Sequence, residues 1–352
     1  MSIGGAGLSV ILPAVNEHDT VPALIRALTG QRDLDLECIV ADGGSDDGTA
    51  ACARACGARV IASALGRGRQ MNAGARAARG EWLLFLHADS QLSAARQLRT
   101  ALDALIAEKR RDDGILAGHF ALRFARRDDA HAQLFRFLEA KSASNRPYSI
   151  NGDQGLMIHR RDFEALGGFD ESLPFFEDQR IAARIFERGR WILLPGTLIT
   201  SARRFEAEGH AERYTLMAMM MGLHYAGLHE FFRETPRLYV AQRDAQRLDP
   251  LAFRGLVLQI LRQRGWRATA LTAWRCGRLA RENAWQLALL RDLARAGCAQ
   301  HGLHRFDRYV APLLANPAAD GIAALLVAFW FLVWLPLQCG LYVERGKKLL
   351  GR

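Results

Sequence analysis

Between residue 8 and about residue 118 the chain alternates short β-rich apolar runs with stretches of helical period, and that alternation leaves few folds open. Residues 8–12, 36–41, 58–62 and 82–86 read as strands, and 20–28, 48–55, 68–78 and 94–109 as the helices between them. Apolar strands joined by helical crossovers build a parallel sheet covered on both faces, so a doubly wound α/β fold is predicted. Farther on, 114–125 predicts a strand, 129–143 a helix and 155–159 a strand. A short helix through Leu166, a Gly167-Gly168 turn, a helix over 177–188 and strands near 191–194 and 197–202 follow. Past about Phe205 the strand signals stop, and the remainder reads as helical with turns at Pro236, Pro250, Pro312 and Pro317.

The net charge of +10 is unevenly spread. Residues 1–200 hold 25 Lys and Arg against 25 Asp and Glu, whereas 201–352 hold 22 against 12. A basic half beside a neutral half points to an anionic partner. Residues 321–343 carry no charged side chain, and about 34 Å of helix would cross a hydrocarbon core of about 30 Å. Anionic membrane lipid, not nucleic acid, is therefore the expected partner. The tail Glu344-Arg345-Gly346-Lys347-Lys348-Leu349-Leu350-Gly351-Arg352 is cationic, and cationic flanks favour the cytoplasmic side. With the soluble part also expected in the cytoplasm, the apolar segment is predicted to re-enter, bent near Pro336, or to lie at the interface, with an ordinary single span that translocates the short tail as the alternative. Six cysteines, at 38, 52, 56, 276, 298 and 339, lack paired spacing and fit a reducing compartment. The domains expected are 1–205, the α/β unit; 206–318, a basic helical region; and 319–352, the apolar segment with its tail.

In a doubly wound sheet, ligands sit beyond the carboxyl ends of the strands. Polar groups cluster there: Pro13-Ala14-Val15-Asn16-Glu17 after the first strand, Asp42-Gly43-Gly44-Ser45 after the second, and His87-Ala88-Asp89 after the fourth. Asp42 can accept from the N–H edge of a base, and Gly43 allows close approach to the backbone. Asp89 offers a hard oxygen to Mg²⁺ or Mn²⁺, and His87 is a second candidate ligand better suited to Mn²⁺. Gly66-Arg67-Gly68-Arg69-Gln70-Met71-Asn72 opens a helix with cations, which suits a diphosphate contacted by Arg67, Arg69 and Asn72. Glu177 and Asp178 follow Phe175-Phe176, where a carboxylate shielded from water could act as general base. Asn151-Gly152-Asp153-Gln154-Gly155 is a candidate acceptor wall through Asp153 and Gln154. The dinucleotide fingerprint and the P-loop are both missing. A methyltransferase-like Asp-x-Gly-x-Gly is half met at Asp42-Gly43-Gly44-Ser45 and then broken by Asp46.

The ordered set SVILPAVNE, VADGGSDDGT, GRGRQMNAGARAARGEWLLFLHADS, GDQG, RRDFEALGGFDE and FFEDQRIAARI resembles the family 2 glycosyltransferases of the GT-A fold. It is most similar to the bacterial subgroup labelled as arsenosugar-biosynthesis or radical-SAM-associated glycosyltransferases, over about residues 8–205. The resemblance implies a GT-A type, mostly parallel sheet followed by a helical region with one long apolar helix. It also implies that Asn16, Glu17 and Asp42 hold the nucleoside, with Pro13, Gly43 and Ala88 beside the donor. Asp89 would match the last acid of the metal-binding DxD, and Asp178, with Glu177 beside it, the catalytic base. His87 stands where most of the wider family has Asp. The expected function is an inverting transfer of a hexose from a nucleotide-diphospho-sugar, with Mn²⁺ or Mg²⁺, at the cytoplasmic membrane face. Lipid-linked, saccharide and small-molecule acceptors all stay open. The rivals are an S-adenosylmethionine-dependent methyltransferase and a non-catalytic membrane-bound nucleotide-sugar-binding module.

Overall fold

The computed structural model of the chain describes residues 7–241, 247–295 and 301–339. They fall into two compact units divided between Ala202 and Arg203. The first runs β1 (Leu8–Ala14), α1 (Val21–Thr29), β2 (Leu36–Asp42), α2 (Thr49–Ala55), β3 (Arg59–Ala62), α3 (Arg67–Ala77) and β4 (Trp82–Phe85). It continues through β5 (Gln91–Leu92), α4 (Gln97–Arg111), β6 (Ile115–Ala125), α5 (Ala132–Ser142), β7 (Leu156–His159), α6 (Arg160–Ala165), α7 (Glu177–Arg188) and β8 (Gly189–Ser201).

The strands form one sheet in the order β3-β2-β1-β4-β7-β6-β8-β5. Alternate residues of the central strands enter two different cores, as a period of two requires. Val10, Leu12 and Leu84 join one core with Leu24, Ile25, Leu98 and Leu102; Ile11, Leu83 and Phe85 join the other with Met71, Phe163 and Ile181. Helix α1 shows how the local sequence makes this work. Pro22 sits at its start, and Val21, Leu24, Ile25 and Leu28 repeat at helical spacing on the buried side.

The sheet is mixed and mostly parallel, as expected. β3, β2, β1 and β4 are parallel, but β7 is antiparallel to both β4 and β6, and β5 is antiparallel to β8. A run such as Leu156-Met157-Ile158 specifies burial, not direction. The two strands expected near 191–194 and 197–202 are one strand. Between the pairs His119↔Leu193 and Ala121↔Thr197 the register slips, and Gly196 at φ 95° lets β8 bulge there instead of turning.

The second unit is helical: α8 (Arg203–Glu208), α9 (His210–Ala226), α10 (His229–Ala241), α11 (Pro250–Glu282), α12 (Trp285–Ala294), α13 (His301–Arg305), a π turn (Phe306–Val310), α14 (Ala311–Leu314) and α15 (Pro317–Phe329). Pro250, Pro312 and Pro317 stand in first turns, where a missing N–H is harmless. Pro236 does not turn the chain; it lies inside α10, where the Thr235 hydroxyl donates to the Phe231 carbonyl at 2.6 Å. Helix α11 is kinked at Gly265, whose φ of 81° and ψ of 174° leave the helical region.

The long apolar helix starts at Pro317 and reaches Cys339, 23 residues, long and apolar enough to cross a membrane. It passes Pro336 without a break. A π turn over Trp330–Trp334 precedes the proline. Residues 340–352, with the basic tail, and Cys298 lie outside the described residues.

Helices α11 and α15 touch through small residues. A Cβ on Gly277 would stand 2.3 Å from the Ala324 nitrogen and 2.5 Å from its Cα. Ala at 277 would gain ~1 kcal/mol of helix propensity in isolation. Overpacking against backbone costs ~1–3 kcal/mol, so Gly277→Ala should destabilise the second unit on balance. Urea unfolding followed by far-ultraviolet circular dichroism checks the sign.

Candidate functional site

The parallel register sets Ala14 beside Asp42, so β1 and β2 end at the same edge. Their following loops are stitched together. The Asn16 amide donates to Ser45 Oγ at 3.0 Å, Asp46 N–H donates to Asn16 Oδ1 at 3.0 Å, and Glu17 N–H donates to Thr49 Oγ1 at 2.8 Å. Asn16 takes a left-handed φ of 55° to do this. Asp42 caps its own loop, accepting from Ser45 Oγ at 2.5 Å and from the Gly44 and Ser45 amides. Glu17 Oε2 accepts from Thr20 Oγ1 at 2.6 Å, and half-buried Pro13, one residue before the strand's end, pairs with Ala41.

Gln70 was not among the expected site residues. From α3 its buried amide donates to the carbonyls of Ala14 and Ala41, both at 2.9 Å, tying the two strand ends together. A side chain on Gly43 would strike it: a Cβ there lies 2.9 Å from Gln70 Nε2 and 2.7 Å from Val15 Cγ2. Only its place in the basic helix start hinted at a role, because its partners are far away in sequence.

Helix α3 does not serve as a plain row of anion contacts. Arg69 is exposed, but Arg67 pairs with Glu177 at 3.3 Å. Asn72 is a correction. Its buried amide donates to the Phe169 carbonyl and to Glu171, each at 2.9 Å, while its oxygen accepts from Phe169 N–H at 2.9 Å. Both amide protons are thus committed to the turn after α6, and none is left for a diphosphate.

The acidic pair at the start of α7 is split by the fold. Glu177 is 1% exposed, and burial together with the neighbouring Asp178 charge raises its pKa against the pull of Arg67. Asp178 is half-buried; its Oδ2 accepts from Gly152 N–H and its Oδ1 from Gln179 N–H, both at 2.7 Å. Phe176, just before the pair, has a left-handed φ of 65°, so the helix starts from a strained residue. Gln179, another residue missed in the sequence, donates to the Ile150 carbonyl at 2.6 Å and to Asn151 Oδ1 at 3.0 Å, which holds the 150–152 loop against α7.

That loop delivers Asp153 to Asp178 and Asp89. The Asp153 carboxyl is pushed up to about 7, first by burial and then by the charges of Asp178 and Asp89, with Arg67 pulling the other way. Its Oδ1 is buried without a hydrogen-bond partner. His87 and Asp178 crowd the same loop, since a Cβ on Gly152 would lie 2.8 Å from His87 Nε2 and 3.3 Å from Asp178 Oδ2. Ala88 is buried between the half-buried His87 and Asp89. Gln154 is fully buried and donates to the Ser149 carbonyl at 2.6 Å, so it shapes the loop from inside. Asp89, Asp153, Asp178 and His87 therefore form one group, and Asn16, Glu17 and Asp42 another.

Residues 9–167 match the family model described as Glycosyl transferase family 2. The match stops before Glu177 and Asp178, so the pair lies outside the matched residues. A 4,4'-diaponeurosporenoate glycosyltransferase of Staphylococcus haemolyticus is 31% identical over 112 residues, which cover 30% of this chain and 30% of that protein. Among solved structures, a mannosyltransferase from Pyrobaculum calidifontis in complex with GDP-Man and Mn²⁺ is 19% identical over 93% of this chain and 88% of its own, with a TM-score of 0.47. Glucosyl-3-phosphoglycerate synthase from Mycobacterium tuberculosis, in complex with Mn²⁺, UDP and glucosyl-3-phosphoglycerate, is 24% identical over 56% of this chain and 71% of its own, with a TM-score of 0.38.

The raised carboxyl of Asp153 has a consequence for stability. Its folded-state pKa of about 7 lies above the ordinary 3.8, so the folded protein binds more protons than the unfolded chain between those values. Stability contributed by this group is thus lost as pH rises through that window. In the presence of a chelator, Asp153→Asn should be more stable than the parent protein at pH ~8, by at most ~4 kcal/mol, and the gap should close toward pH ~4. Urea unfolding midpoints at several pH values test this.

Proposed function

We propose that the chain is a nucleotide-diphospho-sugar glycosyltransferase, acting on a hydroxyl or phosphate acceptor with inversion at the sugar carbon. The observation that carries this reading is the convergence of Asp89, Asp153 and Asp178 beyond the end of β4, in a chain whose residues 9–167 match a glycosyl transferase family. The two loops that end β1 and β2 would take the nucleoside, with Asp42, Asn16 and Glu17 lining it and Gly43 keeping the backbone open. Arg67 and Arg69 would face the diphosphate; Arg67 has donors beyond the one it gives Glu177.

The residues fit a divalent cation. A carboxyl repelled by two others and holding an orphaned buried oxygen is what a cation relieves. Among the described residues no three His, Cys, Asp or Glu side chains form a ready cage. Mg²⁺ and Mn²⁺ held by one or two carboxylates are commonly completed by substrate phosphate. Asp89 would be the principal protein ligand and His87 the candidate second; when bound, the ion neutralises charge on the departing diphosphate.

Asp178 is the base in this proposal and Glu177 its support. Glu177 is sealed in and paired with Arg67, whereas Asp178 keeps acceptor capacity beyond its bonds to Gly152 and Gln179. It would take the acceptor's proton as the acceptor oxygen attacks the anomeric carbon, a single displacement that inverts configuration. Asp153 would border the acceptor. The hexose, the bacterial arsenosugar or radical-SAM-associated subgroup and the cytoplasmic membrane location belong to the same proposal. They are supported by the motif series and by the apolar helix described over Pro317–Cys339.

A panel of nucleotide-sugars, assayed for nucleotide release with Mn²⁺ or Mg²⁺, tests the reading. Asp178→Asn should lower turnover by ~10²-fold or more while donor affinity, measured by calorimetry, stays near normal. Asp89→Ala should abolish transfer and the metal dependence of donor binding. Retention of an adenosine cofactor with no nucleotide-sugar binding would instead favour a methyltransferase, and donor binding without turnover of any acceptor a non-catalytic module.

A further inference from the structure

Helix α15 has two unlike sides. Ile322, Leu325, Leu326, Phe329, Val333 and Leu337 recur at helical spacing and are all exposed. The other side meets α11 through charge. At the first turn Asp320 accepts from Arg281, and both side chains are nearly buried, at 12% and 15% exposure.

Farther along, the π turn closes with Leu335 N–H donating to the Trp330 carbonyl, five residues back. Pro336 has no N–H to continue either pattern, so the carbonyls four and five residues before it, Leu332 and Phe331, lose their helical donors. Arg254 of α11 supplies both. Its Nε donates to Phe331 O at 2.8 Å and its Nη2 to Leu332 O at 3.3 Å, with the guanidinium 5.5 Å from the centre of the Phe331 ring. One arginine thus mends the helix at its proline and pins it to α11.

That pin is incompatible with a simple crossing. Phe331 lies 14 residues past Pro317, about 21 Å along a helix whose whole 23 residues measure about 34 Å. Crossing would carry the Arg254 charge, which carbonyls and a ring face stabilise but do not neutralise, into the hydrocarbon together with the helix that bears it. Lying flat removes the conflict: the apolar stripe enters the acyl boundary and the charged side stays above it. Exposed arginines on α11, among them Arg262, Arg267 and Arg275, match an anionic surface. Trp274, exposed and adjacent to Gly321, flanks the start of α15 with an amphipathic ring.

We propose that Pro317–Cys339 is a monotopic anchor that lies in the headgroup layer of an anionic bilayer, fixed by Arg254 and Arg281, and does not span it. This rests on the membrane location proposed above and not on the sugar-transfer chemistry. The test uses the full chain with single nitroxide-labelled cysteines at Ile322, Phe329 and Leu337, bound to phosphatidylcholine vesicles with and without phosphatidylglycerol. Electron paramagnetic resonance depth measurement should place all three labels at one shallow depth. Phe329 at the bilayer centre with the other two near opposite surfaces would overturn the proposal. Binding should be stronger on the anionic vesicles by roughly 5-fold for each arginine that reaches the headgroups, and should weaken with salt. Equal binding to both vesicle types would overturn the anionic part. Donor binding measured on the same samples separates failure of the catalytic reading, which would leave the depths unchanged.

Discussion

Carboxylates repel, yet the buried Asp153 carboxyl sits in the field of both Asp178 and Asp89, and the loop that carries it is tied down from several sides. Asp178 is fixed by the Gly152 amide, the Gly152 loop is fixed by Gln179, and α7 is set against α3 by the Arg67–Glu177 pair. Gly68 lets the two helices approach, since a Cβ there would meet Asp170 O at 3.1 Å and Glu177 Cβ at 3.5 Å. The cost of this arrangement is electrostatic, and it shows in the Asp153 carboxyl, which burial and the Asp178 and Asp89 charges push up to about 7.

The division between legible and illegible parts follows from range. β1 through β4 were legible because interior parallel strands are short continuous apolar runs separated by amphipathic helices. The direction of β7 was not, because three apolar residues read the same both ways; pairing with β4 and β6 decides it. The two strands expected near 191–194 and 197–202 are one because β6 pairs on both sides of the gap, which becomes a bulge.

Site residues divide in the same way. Acids after strand ends were readable because topology alone puts them at one edge. Asn72 was misread: composition tells which residues open a helix but not which side each one faces, and Phe169 claims its amide from 97 residues away. Gln70 and Gln179 went unnoticed for the same reason. A buried amide that bridges two carbonyls has no local signature, since its partners come from other segments.

The close fit of Gly277 against Ala324 bears on how this protein is best handled at the bench. Cutting the chain before Pro317 to gain solubility would remove the apolar stripe, but it would also uncover the groove at Gly277 and take from Arg281 its carboxylate and from Arg254 its two carbonyls. Such a truncation trades one sticky surface for another. A water-soluble form is better sought by keeping the helix and replacing its outward side chains, such as Leu325, Leu326 and Phe329, with polar ones, which leaves the inner seam whole.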